Sequence, residues 1–297
     1  MVLEMDDECI LFEKIVQEGY VDTGLLIEAS QNRREFLEAL QYQRDVLPTA
    51  KAYLESFVTV CSLLKESRAK VRSQPLFMWN KQGSSSWLYE RMNVERVIAD
   101  TFVDAAKATD DLKQRRTHYA DAIRYSLRAF NSLLATSWED ASMTFLPIFQ
   151  DRFHMYHIAK NTAMYYKTMN DYSIAQNGSG NKICAKKAYE YMDVAVNIWL
   201  EDREASKFLH ECKALHALNL VEDMSLDDCG EKTAILETFI NVKDTPESVI
   251  AAHKLLKQQN ENVYFQAEKT DKTISPSSLK ELFHTLPVTI EDKATTT

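Results

Sequence analysis

The chain has 297 residues, 45% of them apolar, and 35 Lys and Arg against 44 Asp and Glu give a net charge of −9. That composition can bury a core for one large domain or two small ones and excludes disorder throughout. The acidic balance argues against a nucleic-acid binder, which needs a basic surface to displace counterions from phosphates. Gly and Pro number six each, too few for the turns of an all-β or α/β protein, so the fold class expected is all-α with little or no β-sheet.

The first residues, Met1 to Glu8, are acidic where a secretory signal begins basic and continues apolar, and no later run reaches the length of a membrane-spanning helix. Cys9, Cys61, Cys184, Cys212 and Cys229 are odd in number and lack any C-x-x-C pair, which points to reduced thiols rather than a disulfide framework or a zinc ribbon. The expected location is therefore the cytoplasm, where the sequon Asn177-Gly178-Ser179 stays unglycosylated.

In chain order, Leu47, Ala50, Leu54, Phe57, Cys61 and Leu64 recur at three and four residues and predict a helix with one apolar stripe. Lys81 to Ser86 reads as a polar loop. The helical rhythm returns at Val94, Val97, Ile98, Phe102 and Ala105, and again from Tyr119 to Leu134. A long helix is predicted over about Phe145 to Ala175, followed by a left-handed loop at Asn177 to Gly180 and helices over Lys182 to Leu200 and Glu204 to Val221. Thr245-Pro246 offers a cap followed by proline at a first helical position. With no long linker, the pattern reads as one array of antiparallel helix pairs, without the 34-residue tetratricopeptide signature.

Three stretches invite chemical readings. Asp227-Asp228-Cys229-Gly230-Glu231 has the D-D-x-x-E form with which helical terpenoid synthases hold magnesium, but Gly230 and Ser225 make it read as an acidic connection between helices. His210 and His216 are six apart, not the four that put two zinc ligands on one helix face. His154 and His157 share a face but sit among Phe153, Met155, Tyr156 and Ile158, the setting of packing histidines. No metal or other cofactor is expected. The basic groups Arg33-Arg34, Lys113 with Arg115 and Arg116, and Lys186-Lys187 read as wet helix faces, with contact to anionic lipid or an acidic partner as a secondary role.

Five short motifs then occur in order. Leu76-Phe77-Met78-Trp79 precedes a polar loop and Tyr89-Glu90, which opens a helix; Leu112-Lys113 and His118-Tyr119-Ala120 follow; then Phe149-Gln150-Asp151 with Phe153; then Lys207-Phe208 with Ala217-Leu218; and last Asn260-Glu261-Asn262-Val263-Tyr264. The last string, extended to Phe265-Gln266-Ala267, also looks like the site of a potyviral protease, yet it runs on into Ser277-Ser278-Leu279-Lys280-Glu281-Leu282-Phe283, an amphipathic element, and reads as native. Together these motifs resemble the Bro domain family, the boomerang-shaped domain of Alix, HD-PTP and rhophilin, over roughly residues 30–290. The family's leading strands are shortened or missing here, and the helix after Glu90 lacks the usual Leu-Phe-Asn.

The resemblance implies a single Bro-like domain over residues 1–297, an elongated stack of helix pairs with a tetratricopeptide-like core, with residues 268–297 an extended segment packing back on it. It implies a non-enzymatic adaptor in the ESCRT pathway of endosomal sorting and the multivesicular body. The partner is the C-terminal amphipathic helix of a Snf-seven-type ESCRT-III subunit, with peripheral contact to the endosomal membrane and no nucleic acid. Carried over by position, Phe153, Met164, Tyr165 and Thr168 form the receiving patch, with Asp110 and Lys113 at its rim. Phe77, Trp79, Tyr89, Glu90, Asn260 and Tyr264 are structural. The residues themselves leave alternatives open: Phe153, Met164 and Tyr165 also fit a helix core, Arg115, Arg116 and Tyr119 a phosphopeptide clamp on a generic helical scaffold, and Asp227, Asp228 and Glu231 a magnesium-dependent enzyme.

Overall fold

The computed structural model describes residues 10–16, 21–67, 77–79, 82–84, 86–135, 151–224, 228–242 and 245–263. Among them the helices are α1 (Phe12–Ile15), α2 (Thr23–Tyr42), α3 (Val46–Ser67), α4 (Trp87–Ala108), α5 (Leu112–Leu134), α6 (Asp151–Asn177), α7 (Lys182–Ile198), α8 (Arg203–Asp223), α9 (Cys229–Ile240) and α10 (Glu247–Val263). One short antiparallel hairpin interrupts them, β1 (Phe77–Trp79) with β2 (Gln82–Ser84), in which Phe77 lies opposite Ser84 and Trp79 opposite Gln82. The fold is all-α, and the stretch expected as a plain polar loop, Lys81 to Ser86, carries β2. The lack of apolar alternation in Gln82-Gly83-Ser84 hid this strand, while Phe77 and Trp79 of β1 are buried in the core.

Local chemistry sets the helix ends. The Asp22 carboxylate accepts from the Gly24 and Leu25 amides at 2.7 and 3.3 Å and starts α2. Asn181 and Asp202 cap α7 and α8 in the same way, accepting from Cys184 N and Ala205 N at 3.0 Å each. Helix α2 ends where Gln43 turns left-handed at φ 52°, which lets the Arg44 amide reach the Ala39 carbonyl at 3.0 Å. Pro48 falls in the first turn of α3, where no intrahelical donor is lost. Gly178, at φ 72°, closes α6 by donating to Ile174 O at 2.8 Å.

Short connections make helical hairpins of α2 with α3, α7 with α8 and α9 with α10, and these pack closely, as do α3 with α4 and α8 with α9. The chain gathers into two compact units. Among the described residues, one takes the chain up to Ala108 together with Asp121–His154; the other takes Thr109–Ala120 together with the chain from Met155 to Val263. The first has an aromatic core in which Phe12, Phe36, Tyr53, Phe57, Phe77, Trp79 and Trp87 meet at ring distances of 5.6–6.1 Å. Each such ring fully buried contributes about 1.5–3 kcal/mol. The second is held by smaller clusters, Tyr156, Ala159, Tyr191 and Met192 in one and Ala217, Val221, Leu236 and Val249 in another.

Candidate partner-binding face

In the first unit the motif residue Glu90 gathers three donors, one of them the motif's Trp79. Glu90 is fully buried, and a buried carboxylate is tolerated only when donors surround it. Arg33 Nε and the Tyr53 hydroxyl donate to its Oε1 at 2.9 and 2.8 Å, and the Trp79 indole donates to Oε2 at 2.5 Å. Arg33 sits on the buried stripe of α2 with Leu26, Ala29, Phe36 and Ala39, and its guanidinium also lies 6.0 Å from the Phe77 ring centre. The Tyr53 phenol is pushed well up by burial and then by the negative Glu90 beside it, so it remains a donor. Tyr89 is buried next door, and Asn260 lies near the end of α10. Tyr264 lies outside the described residues.

In the second unit the candidate patch residues Met164, Tyr165 and Thr168 lie on α6. Successive residues of a helix turn by about 100°, so Met164 and Tyr165 face different ways. Met164 packs on the cluster of Tyr156, Tyr191 and Met192. Thr168 is 2% exposed and donates to the Met164 carbonyl at 2.8 Å. Tyr165 is half-buried, edge-on to Tyr166 at 5.4 Å, and shares its side of α6 with Met169 and Tyr172, spaced at four and seven residues. Both of these are half-buried and meet cations of α5: Arg116 Nη1 lies 3.5 Å from the Met169 sulfur, and Lys113 Nζ lies 5.9 Å from the Tyr172 ring centre. Asp110 projects into solvent, 3.8 Å from Arg115. Phe153 belongs to the first unit, half-buried, with the Arg96 guanidinium 5.3 Å over its ring.

The residue that positioning by sequence placed at the rim, Lys113, therefore touches an apolar stripe, Tyr165, Met169 and Tyr172, of which only Tyr165 was singled out. The signal for the other two is the i, i+4, i+7 spacing, which competes on α6 with equally apolar positions on its other sides. Helix α6 is held against the start of α8 by Tyr156 and Lys160. The Tyr156 hydroxyl donates to Asp202, and Lys160 donates to Asp202 at 2.8 Å and to Glu204 at 3.1 Å. Burial and the Asp202 hydrogen bond push the Tyr156 phenol up to about 12, so it stays protonated and keeps donating to Asp202.

The competing constellations do not assemble as expected either. Arg115 donates to the Thr109 carbonyl at 3.1 and 2.6 Å, and Tyr119 is 2% exposed, leaving the phosphate clamp without its phenol. Asp227 lies outside the described residues; Asp228 is the N-cap of α9 and Glu231 is in its first turn. Among the described residues no three His, Cys, Asp or Glu are grouped to hold a metal ion, and no helix is long and apolar enough to cross a membrane. His154 stacks on Phe130 at 5.9 Å, His216 on Tyr189 at 5.7 Å, and His210 meets Thr245 Oγ1 at 3.1 Å. Comparison with protein-family models, with curated proteins and with solved structures gave no match to this chain in any of the three.

Proposed function

We propose that the chain is a non-enzymatic, Bro-like adaptor of the ESCRT pathway, cytoplasmic and recruited to endosomes, that receives the C-terminal amphipathic helix of a Snf-seven-type ESCRT-III subunit. The observation that carries this reading is the meeting of Trp79 and Glu90. Two motif halves that suggested the family by their order in the sequence share one hydrogen bond in a buried core, a use that an accidental match does not require. The half-buried stripe of Tyr165, Met169 and Tyr172, bordered by Lys113 and Arg116, supplies what helix-in-groove recognition needs: apolar anchors for affinity and flanking charge for register. The test is a pull-down with immobilised C-terminal helices of ESCRT-III subunits beside versions whose apolar residues are replaced by Ser. Retention on the native helix alone supports the adaptor; retention on both or on neither overturns it.

A further inference from the structure

Two basic side chains lie buried without partners in the second unit, on α9 and α10, and what they imply stands whether or not α6 receives a helix. Lys232 is 5% exposed and His253 8%. Neither takes part in a hydrogen bond or ion pair among the described residues, and His253 Nε2 is closed to solvent as well. Elsewhere in the unit such groups are matched. Lys160 and Lys167, whose side chains are more open at 16%, each hold two carboxylates, Asp202 with Glu204 and Asp171 with Glu211. His216 stacks on Tyr189, and His210 meets Thr245 Oγ1. Asp228, the N-cap of α9, stands four residues before Lys232, the spacing of an ordinary helical ion pair, and the pair does not form. An ammonium taken out of water with no counter-charge is costly, and so is an imidazole nitrogen with no partner.

Helical spacing brings the two side chains to one place. Lys232 is one turn before Leu236 on α9, and His253 is one turn after Val249 on α10; Leu236 and Val249 belong to a single buried cluster with Ala217 and Val221 of α8. Because α9 and α10 form a hairpin, both steps lead away from its connecting turn, to the same end of that cluster. The α8 residues packed there, Ala217, Leu218, Val221 and Met224, bring no acid to meet them. What the pair presents is a set of donors: three N–H on the ammonium and, at Nε2, the N–H of the imidazole. The complementary group accepts only and carries negative charge. We propose that Lys232 and His253 form a binding site for the oxyanion of a small molecule, a phosphate or a carboxylate group. The ligand is small because so little of either side chain is open to solvent.

The probes are inorganic phosphate and acetate, each against chloride at equal ionic strength, followed by Tm and by NMR of histidine labelled with carbon-13 at Cε1. An ion that binds only the folded protein raises Tm as its site fills. Lys232→Met keeps the length of the side chain without its charge, and His253→Phe keeps a ring without a donor and assigns the His253 signal. Lys254→Met removes a charge from the exposed neighbouring position on α10. The expected result is a saturable rise in the parent's Tm with at least one of the two ions, together with a shift of the His253 signal. Apparent affinity falls about tenfold or more in Lys232→Met and His253→Phe and stays within about twofold of the parent in Lys254→Met. In chloride alone Lys232→Met melts no lower than the parent, since no pairing is lost with the charge. The ion that acts, phosphate or acetate, gives the class of oxyanion. No response of the parent to either ion, an equal response in Lys232→Met, a response that spares the His253 signal, or a lower Tm of Lys232→Met in chloride overturns the proposal.

Discussion

At the level of single residues the fold depends on Glu90, because an ionised group in the aromatic core is stable only while its three donors stay in place. Trp79→Ala removes both a buried ring and one donor and is expected to cost about 3–5 kcal/mol. Trp79→Phe keeps most of the packing, loses the indole N–H, and is expected to cost about 1–3 kcal/mol. Urea unfolding of the two variants separates packing from hydrogen bonding; equal stability of both with the parent would show that the ring is dispensable. His216 supplies a pH dependence. It is stacked on Tyr189, its Nδ1 has no hydrogen-bond partner among the described residues, and burial, then the Lys186 charge, lower its pKa. The folded state therefore takes up this proton less readily than the unfolded chain, whose histidine titrates near about 6.5. Its contribution is complete above that pH, is lost as pH falls below it, and levels off under the lowered native value. His216→Phe keeps the stack, so the fall in Tm from pH 7.5 to 5.5 is expected to be smaller than in the parent. An unchanged fall in thermal melts would exclude His216 as its source.

Among the elements, the α2–α3 turn holds two non-glycine residues in the left-handed region, Gln43 at φ 52° and Asp45 at φ 50°. A side chain at Gln43 meets the Cβ penalty that glycine avoids at a helix C-terminus. Gln43→Gly is expected to raise stability by up to about 1 kcal/mol, the greater freedom of glycine in the unfolded chain offsetting part of the gain. A lower denaturation midpoint would mean that Gln43 makes a compensating contact. This turn was not legible in the sequence, since Gln-Arg-Asp carries none of the glycine that usually marks such an end. Helices α7 and α8 were legible to within a few residues because Asn181 and Asp202 supply caps and their apolar residues keep a helical period. The face of α6 was not. Its Met and Tyr residues run all round the helix, so spacing alone could not separate Met164, which packs on the Tyr156, Tyr191 and Met192 cluster, from Tyr165, equally half-buried on another side. The strand β2 was equally hidden, because Gln-Gly-Ser pairs through its backbone and shows no alternation.

For the whole molecule, scarcity of Gly and Pro and the lack of period-two alternation carried the fold class, since a chain so poor in turn residues has few ways to reverse a strand. Division of the described residues into two compact units was not legible, because besides the break after Ala108 its boundaries fall inside α5 and α6, after Ala120 and His154, where helical periodicity continues unbroken. The proposed function rests on the α6 stripe. If it receives a partner helix, a carboxylate placed on it must be desolvated against the partner's apolar anchors, whereas one placed at half-buried Met164 loses the packing on Tyr156, Tyr191 and Met192. Met164→Asp is accordingly expected to lower the thermal midpoint, and Tyr165→Asp to leave it near the parent's. The decisive measurement is a titration of a labelled ESCRT-III C-terminal helix into the parent and into folded Tyr165→Asp/Tyr172→Asp protein. The expected outcome is binding by the parent and a Kd at least about 30-fold weaker in the variant, about 2 kcal/mol. Equal affinity in a variant with the parent's helical spectrum would show that the helix, if it binds, binds elsewhere, and no binding by the parent would remove the adaptor role.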